Sequence, residues 1–166
     1  MAVRYNAGEI ITAMVTPFNE NKEVDYESLE KLVNHLVNTG SDAILVAGTT
    51  GECPTLTHEE EWDVLKFVIK TANKRVKVVM GTGSNCTETA VMTAAKAEEL
   101  GADAILTVVP YYNKPSQRGM IAHFSAVAEA TKLPIILYNI PGRTGVNMQP
   151  ATTVSYTHLT LPTNRE

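Results

Sequence analysis

Apolar residues fall along the chain in two alternating patterns. Short runs that are almost wholly apolar and rich in β-branched residues occur at 42–46, 77–80, 103–109 and 133–138. Such runs lack in-out alternation, which marks strands buried on both faces. An earlier run, 10–18, reads as a first strand. Between the runs, apolar residues recur at helix spacing. Tyr26, Leu29, Leu32, Val33, Leu36 and Val37 follow an N-cap candidate, Asp25, and stop before Gly40. Thr57 and Glu60 have capping-box spacing ahead of Trp62, Leu65, Val68, Ile69 and Ala72. A third helix is predicted from Thr87 to Gly101. A fourth starts near Ser116, carries Phe124, Val127 and Ala128, and ends before Pro134, where the pre-proline restriction discourages helix.

The chain also repeats itself. Gly40-Ser41-Asp42-Ala43-Ile44-Leu45 returns as Gly101-Ala102-Asp103-Ala104-Ile105-Leu106, each time a helix end, a short loop and a buried strand. Strand-helix-strand units of roughly 30 residues imply parallel strands with helices packed outside them. A doubly wound sheet and a (β/α)8 barrel both fit. A doubly wound nucleotide binder carries a glycine fingerprint after its first strand, where this chain has Asn19-Glu20-Asn21-Lys22. The predicted class is therefore α/β, a TIM (β/α)8 barrel truncated to about its first five βα units, because closure takes eight strands and about 250 residues.

Composition excludes several classes of function. With 44% hydrophobic and 19% charged residues in a length of 166, the chain can bury a core. Its net charge of -4 has no block of one sign, so no nucleic-acid partner is expected. The apolar runs fall far short of the roughly 20 residues of a membrane-spanning helix, so no membrane partner is expected either. The first residues lack a signal-peptide pattern, which points to a cytoplasmic protein. Cys53 and Cys86 are far apart in sequence, and His35, His58, His123 and His158 are scattered, so neither a disulfide framework nor a metal site is expected.

Candidate chemistry lies just after the strands, on the face where barrels bind substrates. Gly48-Thr49-Thr50-Gly51 offers two hydroxyls and backbone N–H groups, suited to a small carboxylate or a proton relay, and equally to a plain turn. Gly81-Thr82-Gly83 reads as a tight strand exit. Tyr111 and Tyr112 follow the fourth strand, and Tyr138 ends the fifth, where a phenol in a cleft can act as acid and base. The planar fork of Arg143 matches a carboxylate. Lys22 and Lys114 are the lysines in loops on that face, and so the amines that local reasoning offers for imine chemistry.

Together, Gly48-Thr49-Thr50-Gly51-Glu52, Pro110-Tyr111-Tyr112-Asn113-Lys114-Pro115 and Tyr138-Asn139-Ile140-Pro141-Gly142-Arg143-Thr144 resemble the dihydrodipicolinate synthase family of pyruvate-dependent class I aldolase-like barrels. The resemblance runs from about Gly8 to Val154. It implies a lyase in which pyruvate forms a Schiff base with a lysine, becomes an enamine and attacks the aldehyde of aspartate semialdehyde, within lysine and diaminopimelate biosynthesis. No metal or organic cofactor is implied. Tyr138 would donate and accept the proton, with Thr49, Thr50 and Tyr112 in its relay. Thr49 and Thr50 would border the pyruvate carboxylate, and Arg143 would hold the carboxylate of the aldehyde. The tyrosine matching Tyr112 reaches into a neighbouring subunit's site in that family, implying a homo-oligomer, a dimer or a dimer of dimers. The resemblance also places a lysine feedback site near Cys53, Pro54, His58, Glu61, Asn85, Thr89 and Tyr111. Because Glu61 and Thr89 stand where a histidine and a glutamate are expected, weak or absent lysine inhibition is predicted.

The chain departs from the family in one decisive way. The Schiff-base lysine is expected about one βα unit beyond Tyr138, at or just past Glu166, and no lysine occurs after Lys132. After Val154 the helical pattern gives way to a polar, Thr-rich stretch, so 1–154 reads as the N-terminal part of a barrel and 155–166 as a non-native tail. Three readings follow: a truncated member of the family that is inactive by itself, a sibling pyruvate-dependent aldolase with another aldehyde, and a non-catalytic half-barrel that binds small carboxylates.

Overall fold

The computed structural model describes residues 5–160. Five strands form one sheet in the order β1-β2-β3-β4-β5, with every neighbouring pair parallel: β1 (Ile11–Ala13), β2 (Ala43–Val46), β3 (Lys77–Gly81), β4 (Ala104–Val108) and β5 (Ile135–Tyr138). Helices α1 (Tyr26–Asn38), α2 (His58–Ala72), α3 (Thr87–Leu100) and α4 (Gln117–Glu129) connect them, and α5 (Pro141–Thr144) and α6 (Pro150–Thr160) follow β5. This is a curled half of a (β/α)8 barrel, as the sequence pattern predicts. The caps form as expected. The Asp25 carboxylate accepts from the N–H groups of Glu27 and Ser28, and Thr57 and Glu60 cap each other reciprocally. The expected tail boundary after Val154 falls inside α6, which continues to Thr160, while 161–166 lie outside the described residues.

Strand alternation separates two apolar layers. Ile44, Val46, Val78, Met80 and Ile105 point outward into the main core, with Leu29 and Val33 of α1, Val64, Leu65 and Val68 of α2, and Ala90, Ala94 and Ala97 of α3. Small residues on α3 let that helix lie close to the sheet. Ala43, Leu45, Val79 and Ala104 point inward, with Ile11, Leu106, Ile136 and Tyr5 against them. The first strand is shorter than its apolar run. Beyond Ala13 the Met14 N–H still bonds the Leu45 carbonyl, at 3.1 Å, but Thr16 turns its hydroxyl to Gly51 and Pro17 has no N–H to give. Phe18 then pairs antiparallel with Val24, closing the loop into α1.

The repeated aspartates explain the internal repeat. Asp42 accepts from the N–H groups of Glu9 and Ile10, at 2.8 and 2.9 Å, and Asp103 accepts from Val78, at 2.8 Å. Each clips the start of its own strand to the start of the preceding one. Gly8, at φ +92°, makes the first clip possible, since a Cβ there would lie 2.0 Å from the Asp42 Cβ.

Candidate active site

The loops after the strands gather at one end of the sheet. After β2 the chain passes through Ala47, at φ +53°, into a 3-10 turn, Thr49–Gly51, closed by the Gly51 N–H on the Gly48 carbonyl at 2.9 Å. The buried Thr16 hydroxyl donates to the Gly51 carbonyl at 2.7 Å, tying this turn to the loop after β1. Gly81, at the end of β3, lies so close that a Cβ would sit 2.4 Å from the Ala47 carbonyl oxygen, consistent with a tight strand exit. Thr49 and Thr50 are thereby held on a rigid turn with both side chains exposed.

The β4 and β5 ends lie side by side, Val108 opposite Tyr138, with the Val109 N–H on the Tyr138 carbonyl at 2.9 Å. By alternation with the inward Ile136, the Tyr138 ring faces the inside of the curl, 42% exposed. Past Pro110, Tyr111 is 41% exposed while Tyr112 is 88% exposed, with φ +69°. Placing an L-residue in that left-handed region costs on the order of 1–2 kcal/mol. Asn113 holds the segment, donating from Nδ2 to the Asn85 carbonyl at 3.0 Å. After β5, Arg143 is exposed on the single-turn helix α5, and the neighbouring Thr144 is buried with its hydroxyl between the Ile140 and Val146 carbonyls.

All five expected site residues thus stand at one end of the sheet: Thr49 and Thr50 after β2, Tyr112 after β4, Tyr138 ending β5 and Arg143 after β5. No hydrogen bond among the described residues joins their side chains to one another. The hydroxyls, phenols and guanidinium form an open, solvated face able to take an anionic oxygen and to move protons. Tyr112 is almost wholly in solvent. Lys22 sits in the turn after β1 at φ +66°, and the Lys114 stem lies against Gly145, where a Cβ would meet its Cε at 2.9 Å.

A cavity of about 250 Å³ on the helix side of the same end is lined by Cys53, Pro54, His58, Glu61, Thr89 and Tyr111, among others. Here the buried Glu61 bonds His58 Nδ1 at 2.9 Å, and burial raises its carboxyl above the usual range. The Cys53 thiol is pushed up to about 11 by burial and then by Glu61. A groove of about 570 Å³ lies at the opposite end, between Asp42, Asp103, Lys74 and Arg75, and contains none of the expected site residues. The spacing of the histidines does not reveal how deeply His123 is packed: it is 4% exposed, its Nδ1 is 2.9 Å from the Thr87 hydroxyl, and burial lowers its pKa. The left-handed Tyr112 also carries no local sequence signal, whereas the i, i+3 spacing of His58 and Glu61 on α2 could have revealed their pairing.

Residues 6–160 match a model of the Dihydrodipicolinate synthetase family. A 4-hydroxy-tetrahydrodipicolinate synthase of Oceanobacillus iheyensis is 50% identical over 149 residues, covering 90% of this chain and 50% of that protein. The chloride-inhibited dihydrodipicolinate synthase of Acinetobacter baumannii complexed with pyruvate superimposes with a TM-score of 0.89 at 48% identity, covering 91% of this chain and 52% of that one. The Cyanidioschyzon merolae enzyme with lysine bound gives 0.88 at 50% identity, covering 92% and 52%. The chain spans about half the length of the curated relatives it matches. Among the described residues, no helix is long and apolar enough to cross a membrane.

Proposed function

Because the chain belongs to the dihydrodipicolinate synthetase family, we propose that it supplies the first half of a 4-hydroxy-tetrahydrodipicolinate synthase, a lyase of lysine and diaminopimelate biosynthesis that condenses pyruvate with aspartate semialdehyde. The observation that carries this reading is the gathering of Thr49, Thr50, Tyr112, Tyr138 and Arg143 at the C-terminal ends of three parallel strands. The amine of a lysine adds to the pyruvate carbonyl carbon, and the carbonyl oxygen leaves as water, giving an imine. Loss of a methyl proton gives an enamine, whose carbon attacks the aldehyde, and the amine of the aspartate semialdehyde part then displaces the lysine amine as the product cyclises. Tyr138 moves the protons at the mouth of the curl, with Thr49, Thr50 and Tyr112 as hydroxyl partners. The two threonines border the pyruvate carboxylate, and Arg143 holds the carboxylate of the aldehyde through its planar fork. The exposure of Tyr112 fits a side chain that completes the site of a second copy, so the working form is a homo-oligomer, in the cytoplasm and without a cofactor.

The 166 residues contain no lysine at a strand end on this face and are, in this reading, catalytically silent by themselves, because without the amine no imine forms. Residues 155–166 are assigned to a non-native tail, which sequencing of the DNA across codons 154–166 tests directly. The functional test is borohydride trapping with pyruvate, performed on the 166-residue chain and on the product of the complete reading frame. The expected result is no label on the chain, Lys22 and Lys114 included, and one labelled lysine in any product that extends past 166 through a sixth strand. A labelled Lys114 would overturn the assignment. Pyruvate binding without label in every form would favour the non-catalytic half-barrel. In substrate profiling of the complete form, preference for an aldehyde other than aspartate semialdehyde that Arg143→Ala leaves unchanged would favour a sibling aldolase.

A further inference from the structure

The segment that carries Arg143 is fixed by two amide side chains that meet on one residue, Asn139 on the side chain of Asn147 and Gln117 on its backbone carbonyl. Asn139, next to Tyr138, donates from Nδ2 to Asn147 Oδ1 at 2.8 Å and to the Met148 carbonyl at 3.3 Å, while its Oδ1 accepts from the Met148 N–H at 3.0 Å. Gln117, the first residue of α4, donates from Nε2 to the Asn147 carbonyl at 2.9 Å, and its Oε1 accepts from the Gln149 N–H at 3.1 Å and from the Thr152 hydroxyl. Asn139 therefore uses both of its donors, and Gln117 uses both lone pairs of its oxygen. Between these anchors lies α5, with Arg143 on its exposed side, Thr144 buried beneath it and the Lys114 stem across Gly145. The Arg143 guanidinium makes no hydrogen bond or ion pair to another described residue, while its N–H donates to the Ile140 carbonyl at 2.9 Å, so its position is set by the backbone that bears it.

We infer that Asn139, Asn147 and Gln117 form an amide clamp whose task is to hold Arg143 at a set position relative to Tyr138, so that a carboxylate bound by the guanidinium presents the rest of its molecule to the phenol. These are positioning residues, and the inference rests on the reading of Arg143 as a carboxylate anchor. Gln117 also starts the helix that follows the Tyr111–Tyr112 segment, so the clamp joins the loop after β4 to the loop after β5. A stem-length change in any of the three amides would release the far side of α5 while leaving both strands paired.

The polarity of the Asn139–Asn147 bond provides the test. Asn147 serves Asn139 as an acceptor, and an aspartate at 147 keeps an accepting oxygen there. An aspartate at 139 loses both donors and sets its carboxylate against the Asn147 oxygen and the Met148 carbonyl. In the 166-residue chain, Asn139→Asp is expected to speed hydrogen exchange at the Arg143, Thr144 and Gly145 amides about tenfold, whereas Asn147→Asp leaves it within about twofold. Butyrate titrated against the Arg143 Nε–Hε resonance should bind about tenfold more weakly to Asn139→Asp than to the parent, with butyramide unable to distinguish them. Gln117→Ala releases the other anchor and should act in the same direction, which keeps the inference open to failure if Asn139→Asp does not fold. Equal exchange in the two aspartate variants would overturn the clamp. Exchange that separates them, with no butyrate response in the parent chain, would leave the clamp standing and overturn the anchor reading of Arg143.

Discussion

The two ends of the same five strands are built on opposite plans. At the end where the strands start, carboxylates are bonded to the chain's own backbone: Asp42 to Glu9 and Ile10, Asp103 to Val78, and Glu98 to the Lys132 N–H and the Thr131 hydroxyl. At the end where they finish, Thr49, Thr50, Tyr112, Tyr138 and Arg143 have no side-chain hydrogen bond to one another, and four non-glycine residues after β2 and β4 take positive φ: Ala47, Glu52, Tyr112 and Lys114. One end satisfies its polar groups internally and stabilises the sheet. The other leaves its polar groups to an outside molecule, and the contrast lies in those groups rather than in the backbone, since Asn73 and Lys74 at the starting end also take positive φ.

The sharpest way to break this contrast is to remove one oxygen from the finishing end. Tyr138→Phe is expected to change unfolding free energy by less than about 0.5 kcal/mol, since the hydroxyl bonds nothing among the described residues. In the product of the complete reading frame the same change should lower turnover by about 10²–10⁴-fold, the usual worth of a positioned acid-base group. Urea denaturation and a condensation assay read the two effects separately. A variant that kept most of its turnover would take Tyr138 out of proton transfer and dissolve the contrast at its centre.

The starting end should respond in the opposite sense, with a smaller effect confined to stability. The N–H groups of Ile10 and Glu9 hold the Asp42 carboxyl below the usual carboxylate range. A group lowered on folding contributes stability that is full above its unfolded value, about 3.9, and that fades as pH falls through its folded value. Asp42→Asn should therefore lower the urea midpoint at neutral pH and flatten its decline in acid, while pyruvate and carboxylate binding stay unchanged. Asp103→Asn, which gives up one backbone bond rather than two, should shift the midpoint less. Equal midpoints for Asp42→Asn and the parent at neutral pH would show that the clips are incidental.

These contrasts mark how far the sequence is legible. Parallel strands and their helices show in local signals, because burial on both faces makes 43–46 and 104–108 wholly or largely apolar, and because the caps at Asp25 and Thr57 act within a few residues. The strand-end positions of Thr49, Tyr138 and Arg143 follow once the strands are placed. What stays hidden depends on chain reversal. Asn139 meets Asn147 and Gln117 meets Thr152 only because α5 and α6 fold back, and no spacing rule records that. The run 10–18 is overlong as a strand for a related reason. Past Ala13, where the ladder stops, Met14 and Thr16 are buried and Thr16 bonds the Gly51 carbonyl of the β2 loop, while Val15 between them is half exposed.

The helix-side cavity sharpens the comparison with an expected absence of effect. It is lined by residues at which the family resemblance places lysine feedback, and the enzyme of Cyanidioschyzon merolae is known with lysine bound. In this chain the one acid among the lining residues is Glu61, which is buried, bonded to His58 and pushed by burial toward its neutral form. Position 89 offers a threonine hydroxyl rather than a second carboxylate. An incoming ammonium group would find no free anion, so desolvating it would go uncompensated. About 10 mM L-lysine should therefore stabilise the chain by less than about 0.5 kcal/mol in a thermal shift measurement. The paired change Glu61→His and Thr89→Glu moves the acid across the cavity and frees it, and should create a lysine-dependent rise in melting temperature that the parent lacks. A strong rise in the parent would mean that Glu61 gives up His58 for the ligand, and that this cavity, unlike the clipped end of the strands, has a polar group to spare.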